Sequence, residues 1–105
     1  MRVIMADSWF TRAGGLLMRP ALKDQELLWL RPCRSIHTFG MRYPIAVFFI
    51  DCHLRVIDVI PNLSPNRIAF NRRAYSVVET IPIPQDQRLP SIAQLERVLS
   101  SEGGG

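Results

Sequence analysis

The apolar run "IAVFFI", residues 45–50, constrains the fold of this chain more than any other stretch of its sequence. Five of its six positions carry β-branched or aromatic residues, and such residues favour strands. A strand that is apolar on both faces needs cover on both sides of its sheet, as a central strand has. We therefore predict that residues 45–50 form the central strand of a sheet.

A second strand is predicted at residues 55–63, "RVIDVIPNL". The connection "DCHL" between this segment and the central strand has the length of a hairpin loop. Strands joined by so short a connection pair antiparallel. Three further segments have the composition or alternation of strands, at residues 2–6, 26–32 and 74–81.

Two helices are predicted, one near each end of the sequence. Residues 7–18 form a short helix or turn, since Asp7 or Ser8 can cap a helix whereas the glycine pair that follows weakens it. Residues 91–101 form an amphipathic helix capped by Ser91. Its apolar stripe consists of Ile92, Leu95, Val98 and Leu99. Three prolines in residues 82–90 predict a loop before it.

Together these segments predict one α+β domain over residues 1–99, followed by a flexible tail at residues 100–105. The architecture is expected to be a small β-rich, barrel-like antiparallel sheet with a short N-terminal helix and a C-terminal amphipathic helix. Its Val, Ile and Phe content favours a sheet that curls around a single core.

The composition predicts a soluble cytoplasmic protein. Apolar residues make up 48% of the chain and charged residues 21%, which is ordinary for a globular domain. No run is long enough for a secretory signal or a transmembrane helix, so we expect no membrane partner, and we expect both cysteines to be reduced thiols. The net charge of +4 permits an anionic partner, although the arginines are scattered along the sequence.

The stretch "CRSIHTFGMRYP", residues 33–44, concentrates the reactive side chains of the chain. If it is extended, Cys33 and His37 lie about 13 Å apart, too far for a thiolate and its base. A zinc site from two cysteines and two histidines is not favoured either, because Cys52 and His53 are adjacent and not spaced like zinc ligands. We predict no metal and no cofactor.

A binding site at the bend in this stretch is our preferred hypothesis. Arginines with a hydroxyl and an imidazole can hold a carboxylate or a phosphate. The site residues are Arg19, His37, Thr38, Met41 and Arg42. The predicted function is a non-enzymatic binding or accessory module for a small anionic ligand or a protein partner.

Two alternatives remain open from the residues alone. One is a hydrolase-type enzyme that uses Asp51, His37 or Cys33. The other is weak nucleic-acid binding through the most basic stretch, "NRIAFNRRAY". Its residues are Arg67, Arg72, Arg73 and Tyr75. We do not favour this second alternative, since such a stretch is also typical of a solvated loop between strands.

Several motifs resemble a family of bacterial and archaeal proteins catalogued as domain of unknown function one hundred and ninety-two. The family's Gly-Leu-Leu/Met-x-Arg element is matched by residues 15–19, and its Met-Arg/Lys-x-Pro/Thr-Ile turn by residues 41–45. The Phe-Ile/Leu-Asp strand end is matched by residues 49–51. The resemblance, over roughly residues 10–82, implies a β-rich, barrel-like fold and no established activity.

The chain departs from the pattern of that family at several positions. Ala46 stands where members usually have Asp, Leu54 where the hairpin usually has Gly, and Asn66 where Trp is expected. A proline-rich segment replaces a glycine-containing loop after Glu79. If the missing carboxylate at position 46 supports a family activity, that activity is expected to be weakened in this chain.

Overall fold

The computed structural model describes residues 2–6 and 22–103, and these form a five-stranded sheet, a two-stranded ribbon and one long helix. The strands are β1 (Arg2–Ala6), β2 (Glu26–Leu30), β3 (Ser35–His37), β4 (Ile45–Ile50), β5 (Val56–Leu63), β6 (Ile68–Phe70) and β7 (Ser76–Thr80). A 3-10 turn at Gln85–Gln87 leads into helix α1 (Arg88–Gly103).

Strand β4 lies inside the large sheet, whose order is β1-β2-β7-β4-β5. All six of its residues are buried. It pairs antiparallel with β5 on one side and with β7 on the other. The prediction of a central strand at residues 45–50 is therefore confirmed.

Different elements cover the two faces of the large sheet. On one face, Leu95 and Leu99 of α1 lie in an apolar cluster with β4 side chains such as Phe48. On the other face, the ribbon contributes Ile36 and Ala69 to a second cluster. Cover on both faces is the physical reason why β4 can be apolar throughout.

The prediction of a barrel-like antiparallel sheet is wrong in two respects. The sheet is open, since β1 and β5 are its two edges. The helix covers one face of the sheet and the ribbon covers the other. Both faces are therefore buried without the strand tilt and stagger that a closed barrel requires. In addition, β1 pairs parallel with β2, and residues 7–25 supply a connection long enough for the crossover that a parallel pair needs. The helix predicted at residues 7–18 lies outside the described residues.

Helix α1 starts earlier than the sequence predicts. It begins at Arg88, and Pro90 lies in its first turn. Proline is compatible with this position, because the first amides of a helix have no intrahelical acceptor in any case. The predicted apolar stripe is confirmed, with Leu95 and Leu99 fully buried. The helix continues to Gly103, into the segment predicted to be a tail.

The hairpin loop between β4 and β5 is fixed by the carboxylate of Asp51. Its Oδ1 accepts hydrogen bonds from the amides of Arg55, at 3.0 Å, and His53, at 2.9 Å. The bond from the Arg55 amide is the largest cause that lowers the pKa of Asp51, and the bond from His53 lowers it further. Leu54 has φ 63°, the left-handed conformation that follows the turn in loops of this type and that favours glycine.

Candidate binding surface

Strands β3 and β6 form an antiparallel ribbon with one buried side and one exposed side. The opposed pairs are Ser35–Phe70, Ile36–Ala69 and His37–Ile68. Ile36 and Ala69 are buried against the sheet, whereas the residues before and after them are exposed. The ribbon thus presents its second side to solvent, and that side carries large side chains.

The exposed side of the ribbon consists of Ser35, His37, Ile68 and Phe70. We call these four residues, together with Phe39, the ribbon face. The relative exposures of Ile68, Phe70 and Phe39 are 66%, 64% and 46%. The rings of His37 and Phe39 stack, with centroids 5.4 Å apart and an interplanar angle of 26°. Large apolar side chains exposed together are typical of interaction sites, whereas single ones need no explanation.

The charge around the ribbon face has one sign. Residues 31–44 and 64–75, which we call the acid-free segments, contain six arginines and no aspartate or glutamate. Five of these arginines are exposed, namely Arg34, Arg42, Arg67, Arg72 and Arg73. Ion pairs among the described residues join Arg2 to Glu26 and Arg55 to Glu96, so neither involves the acid-free segments. The five exposed arginines therefore have no carboxylate partner among the residues that the structure describes, whereas the guanidinium of the sixth, Arg31, lies over the Trp29 ring at 4.3 Å.

Thr38 holds the end of the ribbon in place. Its hydroxyl donates to the Ser64 carbonyl at 2.7 Å and accepts from the Arg67 amide at 2.9 Å. Its own amide donates to the Arg67 carbonyl at 2.9 Å, and its carbonyl accepts from the amide of Asn66 at 3.0 Å. The Asn66 side chain in turn accepts from the amide of Gly40, which has φ 81°. The bend is therefore a hydrogen-bonded connection between the two strands of the ribbon.

The residues of our preferred site have different surroundings. Thr38 is fully buried and Met41 lies in the core cluster that faces the ribbon. His37 and Arg42 are exposed. Arg19 lies outside the described residues. The structure thus leaves His37 and Arg42 accessible to a ligand, while the Thr38 hydroxyl is used by the backbone.

The residues of the nucleic-acid alternative are all at the surface. Arg67 directly precedes β6, and Arg72 and Arg73 follow it in a turn. The amide of Arg73 donates to Asn71 Oδ1 at 2.9 Å in that turn. Tyr75 is 49% exposed. The stretch is a strand and a turn of the ribbon, not an irregular loop.

Each residue of the hydrolase alternative makes a contact within the fold. Cys33 is buried and its thiol donates to the Ser35 carbonyl at 3.1 Å. Burial is the main cause that raises the pKa of this thiol, which disfavours the thiolate that a nucleophile needs. Asp51 fixes the hairpin loop, and His37 stacks on Phe39 at the surface.

No group of three or more His, Cys, Asp or Glu side chains suited to a metal ion is found within residues 2–6 and 22–103. Cys52 and His53 lie exposed in the hairpin loop after β4. The described part of the chain therefore supplies no candidate metal centre.

Glu79 is an acid in the core, on the side of the sheet that the ribbon covers. Leu28 and Val47 are its neighbours on the adjacent strands, and the residue is only 5% exposed. Burial raises the pKa of Glu79 to about 7. Neither ion pair found among the described residues includes it. The sequence places Glu79 in a strand but does not show its burial, since burial of a single acid leaves no local signal.

Two clefts lie near the end of β7. One, of about 280 Å³, lies between the turn before β2 and the first half of α1, with Gln25, Gln87 and Gln94 in its lining. The other, of about 180 Å³, has an apolar lining that includes Leu22 and Tyr43. Among the described residues, neither cleft has an arginine in its lining.

Phe39, Ile68 and Arg34 belong to the candidate surface but were not predicted as site residues, whereas Phe70 lies in the stretch of the nucleic-acid alternative. An apolar residue in a short strand is buried by default, so nothing local identified their exposure. A signal was nevertheless present, because both acid-free segments can be read from the sequence. Counting acids as well as arginines would have located the surface.

The fold and the surface define a class of protein: a small α+β domain that presents a basic, aromatic ribbon on one side of an open sheet. The chain matches the model of the DUF192 family, described as "Uncharacterized ACR", over residues 1–88. The chain belongs to this family, as its motifs at residues 15–19, 41–45 and 49–51 indicate.

A solved structure shows the same fold. The crystal structure of a protein of unknown function from Novosphingobium aromaticivorans superposes with a TM-score of 0.71. The two sequences are 19% identical, and the match covers 88% of this chain and 69% of the other. No curated protein matches the chain.

Two departures from the family pattern now have a structural setting. Ala46 is fully buried in the cluster beneath α1, so an aspartate there would place a carboxylate among apolar side chains. Leu54 adopts the left-handed conformation for which the glycine of other members is suited. Leu54 also packs partly against the same cluster, which offsets part of that conformational cost.

None of the helices in the described segments is both long enough and apolar enough to cross a membrane.

Proposed function

We propose that this protein is a non-enzymatic binding module that holds a polyanionic partner on its ribbon face. The observation that supports this most is that exposed rings on the ribbon coincide with exposed arginines in the segments that flank it, and that neither ion pair found among the described residues involves these arginines. Exposed apolar side chains provide contact area, and the guanidinium groups provide charge-assisted hydrogen bonds to phosphate or carboxylate. Of the predicted site residues, His37 belongs to the ribbon face and exposed Arg42 lies in one of the acid-free segments, while Thr38 and Met41 are buried.

The hydrolase alternative has no comparable support. Of its residues, Cys33 is buried as a neutral thiol and Asp51 is engaged by two backbone amides of its own loop. Binding needs only the accessible side chains that the ribbon face offers. The proposal therefore assigns the arginines a role in recognition and assigns the chain no reaction.

A pair of matched variants tests the proposal. Arg67→Gln/Arg72→Gln removes two charges beside the ribbon face, and Arg88→Gln/Arg97→Gln removes two from the exposed surface of α1. The probe is inorganic polyphosphate, and its binding is measured by calorimetry at increasing salt. We expect the first variant to bind roughly tenfold more weakly, with a shallower salt dependence, because two phosphate contacts are lost. The α1 variant should bind nearly as the parent does. Equal losses in both variants would mean that only net charge matters, and would contradict the proposal.

A further inference from the structure

We infer that the polyanion held by the ribbon face is a single-stranded nucleic acid whose bases stack on its rings, an inference that depends on the function proposed above. The proposed function needs only negative charge in the partner. The inference adds that the partner carries flat, accessible bases, and three features of the surface lead to it.

The first feature is the arrangement of the rings. His37 and Phe39 form one stacked pair at 5.4 Å, and Phe70 lies diagonally across the ribbon from His37, since Ser35 is its direct partner. Diagonal neighbours on an antiparallel pair are about 7–8 Å apart. The ribbon therefore offers two aromatic platforms side by side. Base stacking on such platforms tolerates any sequence, because every base has a flat face.

The second feature is the position of the arginines relative to those rings. Arg67 directly precedes β6, and Arg34 precedes β3 at the opposite end of the same ribbon. Arg72 and Arg73 follow β6 in the turn. Charges at the ends of the ribbon, with rings between them, can follow a phosphate backbone while the bases lie on the rings.

The third feature is the exposed flat area of the rings, which other polyanions do not cover. A duplex hides the faces of its bases, so Phe39 and Phe70 would gain no stacking from it. An acidic peptide can pair with the arginines but has no flat groups to cover the rings. A base-bearing single strand satisfies both halves of the surface, its charge and its exposed aromatic area.

The test compares strands that carry the same charge with and without bases. Fluorescently labelled oligothymidylate and oligouridylate of about ten nucleotides are compared with an abasic deoxyribose-phosphate strand of equal length. Duplex DNA of the same length and oligoglutamate complete the set. Fluorescence anisotropy at about 50 mM salt gives the affinities. We expect the base-bearing strands to bind at least tenfold more tightly than the abasic strand, the duplex or the peptide.

Two variants locate the stacking. Phe39→Leu/Phe70→Leu keeps apolar side chains at exposed positions but removes both phenyl rings and leaves only the His37 imidazole, so the fold should be unaffected, as a thermal unfolding curve will verify. This variant should lose roughly ten- to hundredfold affinity for the base-bearing strands and almost none for the abasic strand. Leu89→Ala, at an apolar residue of α1 that is 77% exposed, is the matched control and should bind as the parent does.

The outcomes separate the inference from the proposed function. If base-bearing and abasic strands bind equally well, the inference is overturned while polyanion binding stands. Tighter binding of the duplex or of oligoglutamate would overturn it in favour of that partner. If none of the probes binds and polyphosphate does not bind either, both fail together.

Discussion

Replacing Glu79 with glutamine is expected to raise the free energy of unfolding by about 2–3 kcal/mol at pH 8 and by much less at pH 5. The parent carries a carboxyl among apolar neighbours, and burial raises its pKa from 4.5 to about 7. Each unit by which the pKa is raised corresponds to about 1.4 kcal/mol of lost stability once the carboxyl is ionised. Glutamine has a similar shape and no charge to desolvate, although burial of its amide reduces the gain.

The direction of the pH dependence follows from proton binding. Between about pH 4.5 and 7 the folded protein holds the Glu79 proton and the unfolded chain releases it, so the stability of the parent falls as pH rises. Below this range the carboxyl is neutral in both states and the cost disappears. Above it the cost is constant. Asp51 acts in the opposite sense, because its pKa is lowered, but it titrates below this window.

Urea unfolding from about pH 5 to pH 8 measures both effects. The E79Q curve should be flatter than that of the parent across this range. Glu102→Gln is the matched control, since Glu102 is an exposed acid on α1 and its replacement should leave the pH profile unchanged. Parallel curves for E79Q and the parent would show that Glu79 is not the source of the pH dependence.

Replacing Thr38 with valine is expected to lower the free energy of unfolding by about 2–4 kcal/mol. Valine fits the same space but removes the hydroxyl, so the Ser64 carbonyl and the Arg67 amide lose their partner. Polar backbone groups left unpaired next to a buried residue carry most of that cost. Since Thr38 joins the two strands of the ribbon, the variant should also bind polyphosphate more weakly.

The matched control for this change is Thr38→Ser, which keeps the hydroxyl and loses one methyl group. Its stability should fall by only about 1 kcal/mol. Chemical denaturation of both variants separates the hydroxyl from the methyl group. Equal stability of the valine and serine variants would contradict the role assigned to the hydroxyl.

The elements that the sequence predicts well are those with a strong local pattern. The uniformly apolar run at residues 45–50 is a buried interior strand, as its composition indicates. The stripe from Ile92 to Leu99 lies on a helix, as its spacing indicates. The pairing of β1 with β2, the open sheet and the ribbon were not predicted. These depend on contacts between residues distant in sequence, such as Ser35 with Phe70, for which hydrophobic periodicity contains no information.

The candidate surface was predicted only in part. His37 and Arg42 were found because unusual side chains cluster there, and Arg67 to Tyr75 because arginines are interleaved with aromatic residues in that stretch. That these two stretches form one surface depends on the β3–β6 pairing, and that Phe39 and Phe70 are exposed depends on what the core leaves uncovered. Thr38 was placed in the site for its hydroxyl, which the structure assigns to the backbone.

The most direct test of where a polyanion binds is a titration of the isotope-labelled protein with polyphosphate, followed by the shifts of backbone amide resonances. If the ribbon face is the binding surface, the largest shifts will fall on residues 34–39 and 67–73, with little change along α1. Shifts confined to the cleft between α1 and the turn before β2, or spread evenly over every exposed arginine, would contradict it.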